Sequence, residues 1–243
     1  MDLSLRSTEP ELMDDPAIAE DILTEVLKDI DRSNRMLGGN RVTIKEVGRL
    51  IAEYPRESYT IVDMGCGDGS MLREVALFCR KHHINVSLIG VDLSDKAIGI
   101  AKEASTEFSE IRFLQQNILD LKANDLGCDI MLCTLTMHHF TNEQIPIFLK
   151  QFIKLAKIGV VINDLERSIS ACYLFMVFRA IFIKSQIAKY DGLISIKSGF
   201  TKRELRVFSK DFPEVHHTIL WKWAFRYVWV IRTCPLITAY ERD

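Results

Sequence analysis

The run Ile61-Val62-Asp63-Met64 leads directly into Gly65-Cys66-Gly67-Asp68-Gly69 and then into Ser70-Met71-Leu72, and no other feature restricts the fold as much. An apolar, β-prone segment ending in closely spaced glycines, followed by a helical pattern, is a strand–turn–helix unit whose turn can lie against a ligand. The same alternation continues along the chain. Strands are expected over residues 60–64, 86–92, 112–115, 129–134 and 159–163, with helices near 69–81, 95–106 and 142–155. Alternation of this kind gives βαβ units and a parallel sheet.

Two helix starts are written plainly. Thr141 followed by Gln144 forms a capping box, with Phe140 and Ile145 as its hydrophobic staple, and Thr201-Lys202-Arg203-Glu204 repeats the pattern between Phe200 and Leu205. Residues 214–223 and 225–233 are two long β-prone runs with almost no connection, so they should close the sheet edge as an antiparallel hairpin.

Ahead of the sheet, residues 1–15 read as a mobile tail. Ile18, Ile22, Val26 and Ile30, widened by Leu23 and Leu27, form the apolar stripe of a helix that Gly38-Gly39-Asn40 ends. Ile44, Val47, Leu50, Ile51 and Tyr54 mark a second helix, stopping near Pro55. Residues 1–55 thus form a tail with cap helices, and 56–243 the main domain. The connection from Asp164 to Thr201 is far longer than the usual loop of about 2–6 residues. This insert, residues 165–200, carries Tyr173, Phe175, Phe178 and Phe182, and Tyr190-Asp191-Gly192 is expected to turn the chain. Its apolar run from Ala171 to Ile183 contains Arg179 and falls short of the roughly 20 residues a membrane span needs. A buried or pocket-lining helix is expected there, with the insert and the cap helices together roofing a crevice.

Composition excludes several classes. A net charge of −2 gives no broad attraction to nucleic acid. The six cysteines are scattered without a C-x-x-C pair, which fits reduced thiols in a cytoplasmic protein. The N-terminus is acidic and has no apolar signal region. No stable membrane insertion is expected, and the chain should be a monomer or homodimer.

Asp63 and Asp68 place negative charge where a dinucleotide would put its pyrophosphate, so a cationic, phosphate-free nucleoside fits better. The glycine spacing is G-x-G-x-G, without a third glycine at the dinucleotide position. Asp92 ends the apolar run 86–92 and is suited to accept from ribose hydroxyls.

Asp63-x-Gly65-x-Gly67-x-Gly69 together with Asp92 resembles the first two motifs of class I S-adenosylmethionine (SAM)-dependent methyltransferases, over roughly residues 40–235. The resemblance implies an α/β, Rossmann-like seven-stranded sheet, order 3-2-1-4-5-7-6 with strand 7 antiparallel, preceded by helices and capped by the insert after strand 5. It implies SAM as cofactor and S-adenosylhomocysteine (SAH) as product. Asp63, Gly65, Cys66, Gly67 and Gly69 would lie beneath the methionine part, Asp92 and Leu93 at the ribose, Asn117 and Ile118 at the adenine, and Thr134 against the cofactor. Four further segments are similar to a bacterial subfamily often associated with pigment and polyketide pathways: Glu11-Leu12-Met13-Asp14, Asn34-Arg35-Met36-Leu37-Gly38-Gly39, Ile162-Asn163-Asp164-Leu165 and Asp191-Gly192-x-x-Ser195.

The run 133–140 ends in Met137-His138-His139-Phe140, at the rim where the crevice of such a sheet lies. His138 and His139 are the candidate bases for deprotonating a methyl acceptor. Asp164, Arg167 and Tyr173 are candidate substrate contacts, with an Asp164–Arg167 salt bridge as the alternative role for that pair. No metal is expected, because the histidine pair shows no third ligand. Strand four lacks the Asn/Asp-Pro-Pro-Tyr/Phe pattern of methylases acting on planar nitrogens. The expected reaction is methyl transfer, with oxygen favoured, to a small apolar or aromatic molecule. The alternative is a SAM-binding partner protein without transfer activity.

Overall fold

The computed structural model describes residues 2–117 and 127–234. One sheet has the order β3-β2-β1-β4-β5-β7-β6. β1 (Ser58–Met64), β2 (Asn85–Asp92), β3 (Ile111–Gln115), β4 (Cys128–Thr134) and β5 (Ala156–Leu165) run parallel. β7 (Arg226–Arg232) runs antiparallel to both β5 and β6 (His216–Lys222). The seven-stranded, Rossmann-like order and the reversed last strand are those expected from the sequence.

Helices cover both faces, so the central strands are apolar on both sides. Ile61, Leu88, Ile130 and Leu132 pack against α2 (Gly39–Glu53) and α3 (Ser70–Lys81). Val62, Met64, Met131 and Cys133 pack on the opposite face with α5 (Gln144–Leu155) and α8 (Lys202–Ser209). α4 (Asp95–Ala104) follows β2, and Ser94 caps it by accepting from the Ala97 amide.

The capping box at Thr201 is present, and the Thr141–Gln144 pair forms in the turn that leads into α5, whose N-cap is Glu143. Thr141 N–H donates to Gln144 Oε1 at 2.9 Å, and Gln144 N–H returns to Thr141 Oγ1 at 3.3 Å. Thr201 and Glu204 exchange the same pair. Such caps contribute about 0.5–2 kcal/mol each.

Three expectations need correction. First, residues 2–15 are a strap rather than a mobile tail. Arg6 donates to the carbonyls of Ser198 and His138, Glu11 is buried, and residues Leu12–Asp14 form a 3₁₀ turn. Second, Tyr190-Asp191-Gly192 lies inside helix α7 (Gln186–Ser198). Asp191 is not spent on a local turn, because its carboxylate accepts the amides of Leu12 and Met13 at 2.8 and 2.9 Å. At Gly192 a Cβ would collide with the Phe175 ring. Third, α6 (Ile169–Phe182) buries only Ala171 and Cys172, while Ile169, Tyr173, Val177 and Ile181 are exposed. Its apolar outer face is not core; only its inner edge, at Phe175, reaches the cavity.

The insert is nevertheless a roof. α1 (Glu20–Met36) holds it from below through Asp29, whose Oδ2 accepts from Lys184 and Ser185 amides, both at 2.8 Å. Those amides belong to the start of α7, where a carboxylate is favoured.

Candidate active site

A cavity of about 770 Å³ opens at the carboxyl ends of β1, β2 and β4, beneath the roof of α1, α6, α7 and the strap. Its floor is the glycine turn. Gly65 and Gly67 have φ of +73° and +52°, the left-handed region that favours glycine. A Cβ on Gly65 would also run into the Thr136 side chain. Asp92 braces the turn: its Oδ2 accepts the Gly67 amide at 2.9 Å, and its Oδ1 accepts the Ser94 amide at 2.9 Å. Asp92 therefore ties the turn to the start of α4 while still lining the cavity.

The electrostatics at this end are negative. Asp63 is buried, its Oδ1 has no hydrogen-bond partner, and burial together with Asp92 pushes its carboxyl up to about 8. Burial also raises Asp92, against the pull of its two amide donors. Asp68 contributes less than the sequence suggests, because Arg73 pairs with it at 3.1 Å. The bias against phosphate thus rests chiefly on Asp92, while Asp63 holds a proton that a cationic ligand can displace.

Of the other expected cofactor contacts, Cys66, Leu93, Asn117 and Thr134 line the cavity, and Thr134 Oγ1 is buried without a partner. Leu93 is exposed at the rim. Gly69 (φ +74°) sits behind the turn, against Phe113. Ile118 lies outside the described residues.

The histidines form a cluster that sequence alone does not reveal. His138 is buried, its Nδ1 is 2.7 Å from Asp164 Oδ1, and its Nε2 is 3.3 Å from Glu11 Oε1. Burial alone would lower its pKa. Asp164 and then Glu11 outweigh that and raise it to about 10. Both ring nitrogens of His138 thus face carboxylates, an arrangement that favours the protonated ring over the free base expected from the sequence. His139 stacks on it, with ring centroids 4.4 Å apart, and its own Nδ1 is 3.0 Å from Asp14 Oδ2. Its side chain is 27% exposed on the cavity wall, with Nε2 3.9 Å from Glu11 Oε2.

Glu11, His138 and His139 bring ligand atoms within 4.8 Å of one another, the set that could hold a cation. Glu11 is the third ligand missing from the sequence reading, and it arrives on the strap. Its Oε1 already accepts from Ser195 Oγ at 2.5 Å and faces His138, so a metal would have to displace the His138 proton.

Two expected substrate contacts lie away from the cavity. Arg167 is a buried anchor, with Nη2 2.6 Å from Glu204 and further bonds to Gly199 and Leu3 carbonyls. It pairs with Glu204, not with Asp164. Tyr173 is 64% exposed on the outer face of α6. Asp164 stands behind His138 as its partner.

Comparisons with known proteins agree with this geometry. Residues 61–159 match the family model described as a methyltransferase domain. The structure is similar to a magnesium protoporphyrin IX methyltransferase from Synechocystis PCC 6803 with bound SAM, at 16% identity, covering 85% of this chain and 83% of that one, with a TM-score of 0.55. It is also similar to the plantazolicin methyltransferase BpumL in complex with a pentazolic desmethylPZN analog and SAH, at 16% identity, coverage of 85% and 89%, and a TM-score of 0.65. A SAM-dependent methyltransferase from Aquifex aeolicus gives 12% identity, coverage of 89% and 100%, and a TM-score of 0.61. No curated protein matches the chain. Sheet order and glycine turn are thus those of the class I methyltransferase fold, and residues 61–159 carry the methyltransferase-domain match. SAM is the methyl donor of that class.

The residues present fit SAM. An unpartnered Asp63 oxygen and the Asp63–Asp92 pair suit a ligand carrying an ammonium and a sulfonium. The unpartnered Thr134 hydroxyl adds a polar contact in the same hollow.

Proposed function

We propose that this chain transfers the methyl group of SAM to a small, largely apolar or aromatic acceptor, at an oxygen, with His139 as the proton acceptor. The observation that carries the reading is the bond from the Gly67 amide to Asp92, which fixes the turn and the carboxylate at one mouth of a roofed cavity. SAM supplies an electrophilic methyl on a good leaving group, so the protein's tasks are alignment, exclusion of water and removal of a proton.

Asp14 accepts from Nδ1–H of His139 and so leaves Nε2 as the basic nitrogen. The acceptor hydroxyl loses its proton to Nε2 as its oxygen takes the methyl. His138, already protonated, holds Glu11 and Asp164 in place and contributes a fixed positive charge behind the reacting oxygen. The roof of strap and insert excludes water. Leu23, Leu27, Phe175 and Ile183 line the cavity, which supports an acceptor of apolar character here.

Thermal unfolding with cofactors tests the reading. SAM or SAH at 100 times its dissociation constant should stabilise by about 2.7 kcal/mol. Stabilisation by NAD and none by SAM would overturn it. A methyl-transfer screen across phenols, quinones and polyketide acids then addresses the acceptor, and transfer only to nitrogen or carbon would remove the preference for oxygen.

A further inference from the structure

A buried cation also lines this acidic cavity. Arg226, at the start of β7, is 2% exposed, lines the cavity, and has neither its Nε nor its Nη1 hydrogen-bonded. Its Nη2 has one long contact, 3.4 Å to Asn34 Oδ1. A buried, half-satisfied guanidinium is expensive, because its donors give up water for nothing. Asp164 is the nearest acid to influence it, but that carboxylate is committed to His138 and to the Leu165 amide. Burial correspondingly lowers Arg226 to about 10.

Two further donors stand beside it. The guanidinium lies against Gly39, where a Cβ would collide with it, and Gly39 opens helix α2. The leading amides of a helix are unpaired within it and carry partial positive charge. The Asn40 side chain, buried in the same first turn, also lines the cavity, and its Nδ2 has no partner. The position of this turn is fixed by Asn163 at the end of β5, whose Nδ2 donates to the Gly39 carbonyl at 3.0 Å and to Thr43 Oγ1 at 2.9 Å. Guanidinium, helix start and amide thus bring together unpartnered donors, of which only Arg226 Nη2 has an acceptor, at the long distance to Asn34 Oδ1; the buried Asn163 Oδ1 beside this turn makes no hydrogen bond to them.

We infer that Arg226, Asn40 and the first turn of α2 form an anion-receiving subsite that binds a carboxylate or similarly acidic oxygen. Two ligands could supply that group: an acidic methyl acceptor or the carboxylate of the SAM methionine. In the first case the acceptor class narrows to apolar molecules that also bear an acid group. This narrowing rests on the methyltransferase reading; the subsite itself does not.

The test uses two pairs of probes on the full chain, each pair differing by one carboxylate. SAH is compared with its decarboxylated analogue S-adenosyl-3-thiopropylamine, and benzoate with benzamide, by calorimetric titration of the wild type, Arg226→Gln and Arg226→Lys. In the wild type at least one pair should differ by about ten-fold or more in affinity, as expected for a charge-assisted contact. The gap should fall below about three-fold in Arg226→Gln and partly return in Arg226→Lys. A gap confined to the SAH pair assigns the subsite to the cofactor, and one in the benzoate pair assigns it to the acceptor. If neither pair discriminates in the wild type, or if Arg226→Gln keeps the full gap, the inference is wrong. Failure of both nucleosides to bind would instead remove the methyltransferase reading, and the benzoate pair would still report on the subsite.

Discussion

His138 Nδ1 stands 2.7 Å from Asp164 Oδ1, joining the turn after β4 to the end of β5 inside the protein. With Glu11 on the other ring nitrogen, the imidazolium satisfies two buried acids at once. Replacing His138 with alanine strands both carboxylates, and removal of one partner of a buried ion pair costs about 3–5 kcal/mol. His138→Ala should therefore unfold at markedly lower denaturant, and chemical denaturation against wild type measures it. An unchanged midpoint would show that the triad contributes nothing.

The same triad sets a pH dependence with a definite sign. His138 is raised from 6.5 to about 10, so its contribution to stability is complete below 6.5 and is lost as pH rises through about 10. Glu11 and Asp164 are lowered against the effect of burial, chiefly by His138, so their contribution is lost as pH falls below their ordinary range. Denaturation midpoints should fall in both strong acid and strong alkali. The alkaline loss should be absent in His138→Gln.

His139 and Asp14 carry the proton in the proposed reaction. His139→Ala should lower kcat by about 10²–10⁴-fold while leaving SAH affinity within a few-fold. Asp14→Asn should lower kcat less, because it removes the carboxylate that orients the ring. Full turnover by His139→Ala would end its assignment as base.

Asp63 reports on the charge of the cofactor. Its carboxyl sits at about 8 in the ligand-free protein because of burial and Asp92, above its value of 3.8 when unfolded. Between those values the folded state holds the extra proton, so stability should fall as pH rises, by at most about 1.4 kcal/mol per pH unit for this one group. A cationic ligand should expel that proton, making SAM affinity rise toward pH 8. Titration calorimetry in buffers of different ionisation heat reads the proton released, and Asp63→Asn should abolish the release.

The glycine turn gives the sharpest single substitution. Gly67 holds a φ of +52° and donates to Asp92, so Gly67→Val introduces strain and crowds the cavity floor. SAH binding should fall by at least about 100-fold, equivalent to roughly 2.7 kcal/mol, and equilibrium dialysis decides it.

The sheet, its order and the capping box at Thr201 were readable because they depend on local rules: apolar period, turn glycines and N-cap chemistry. The glycine turn and its bond to Asp92 were readable for the same reason, since Asp63, Gly65, Gly67 and Asp92 lie at one strand–turn–helix junction and the neighbouring strand end. What escaped was the part built from distant segments. Glu11 meets His138 across 127 residues and Asp191 meets Leu12 across 179. The quoted segments Glu11–Asp14, Asn34–Gly39, Asn163–Asp164 and Asp191–Ser195 carried the signal, because each supplies a residue to the strap, the triad or the Arg226 subsite. Their spacing gave no hint of which would touch. Tyr173 misled because apolar patterning marks a face without saying whether another element will cover it.

The strap has a practical consequence for anyone handling this molecule. Arg6, Glu11 and Asp14 are wired into the carbonyl of His138 and the side chains of both histidines. A version trimmed back to α1 would lose Glu11 and Asp14, the acids that face both imidazoles. Under the proposed mechanism such a version lacks the groups that orient the base, so its silence in an assay would say nothing of the intact chain.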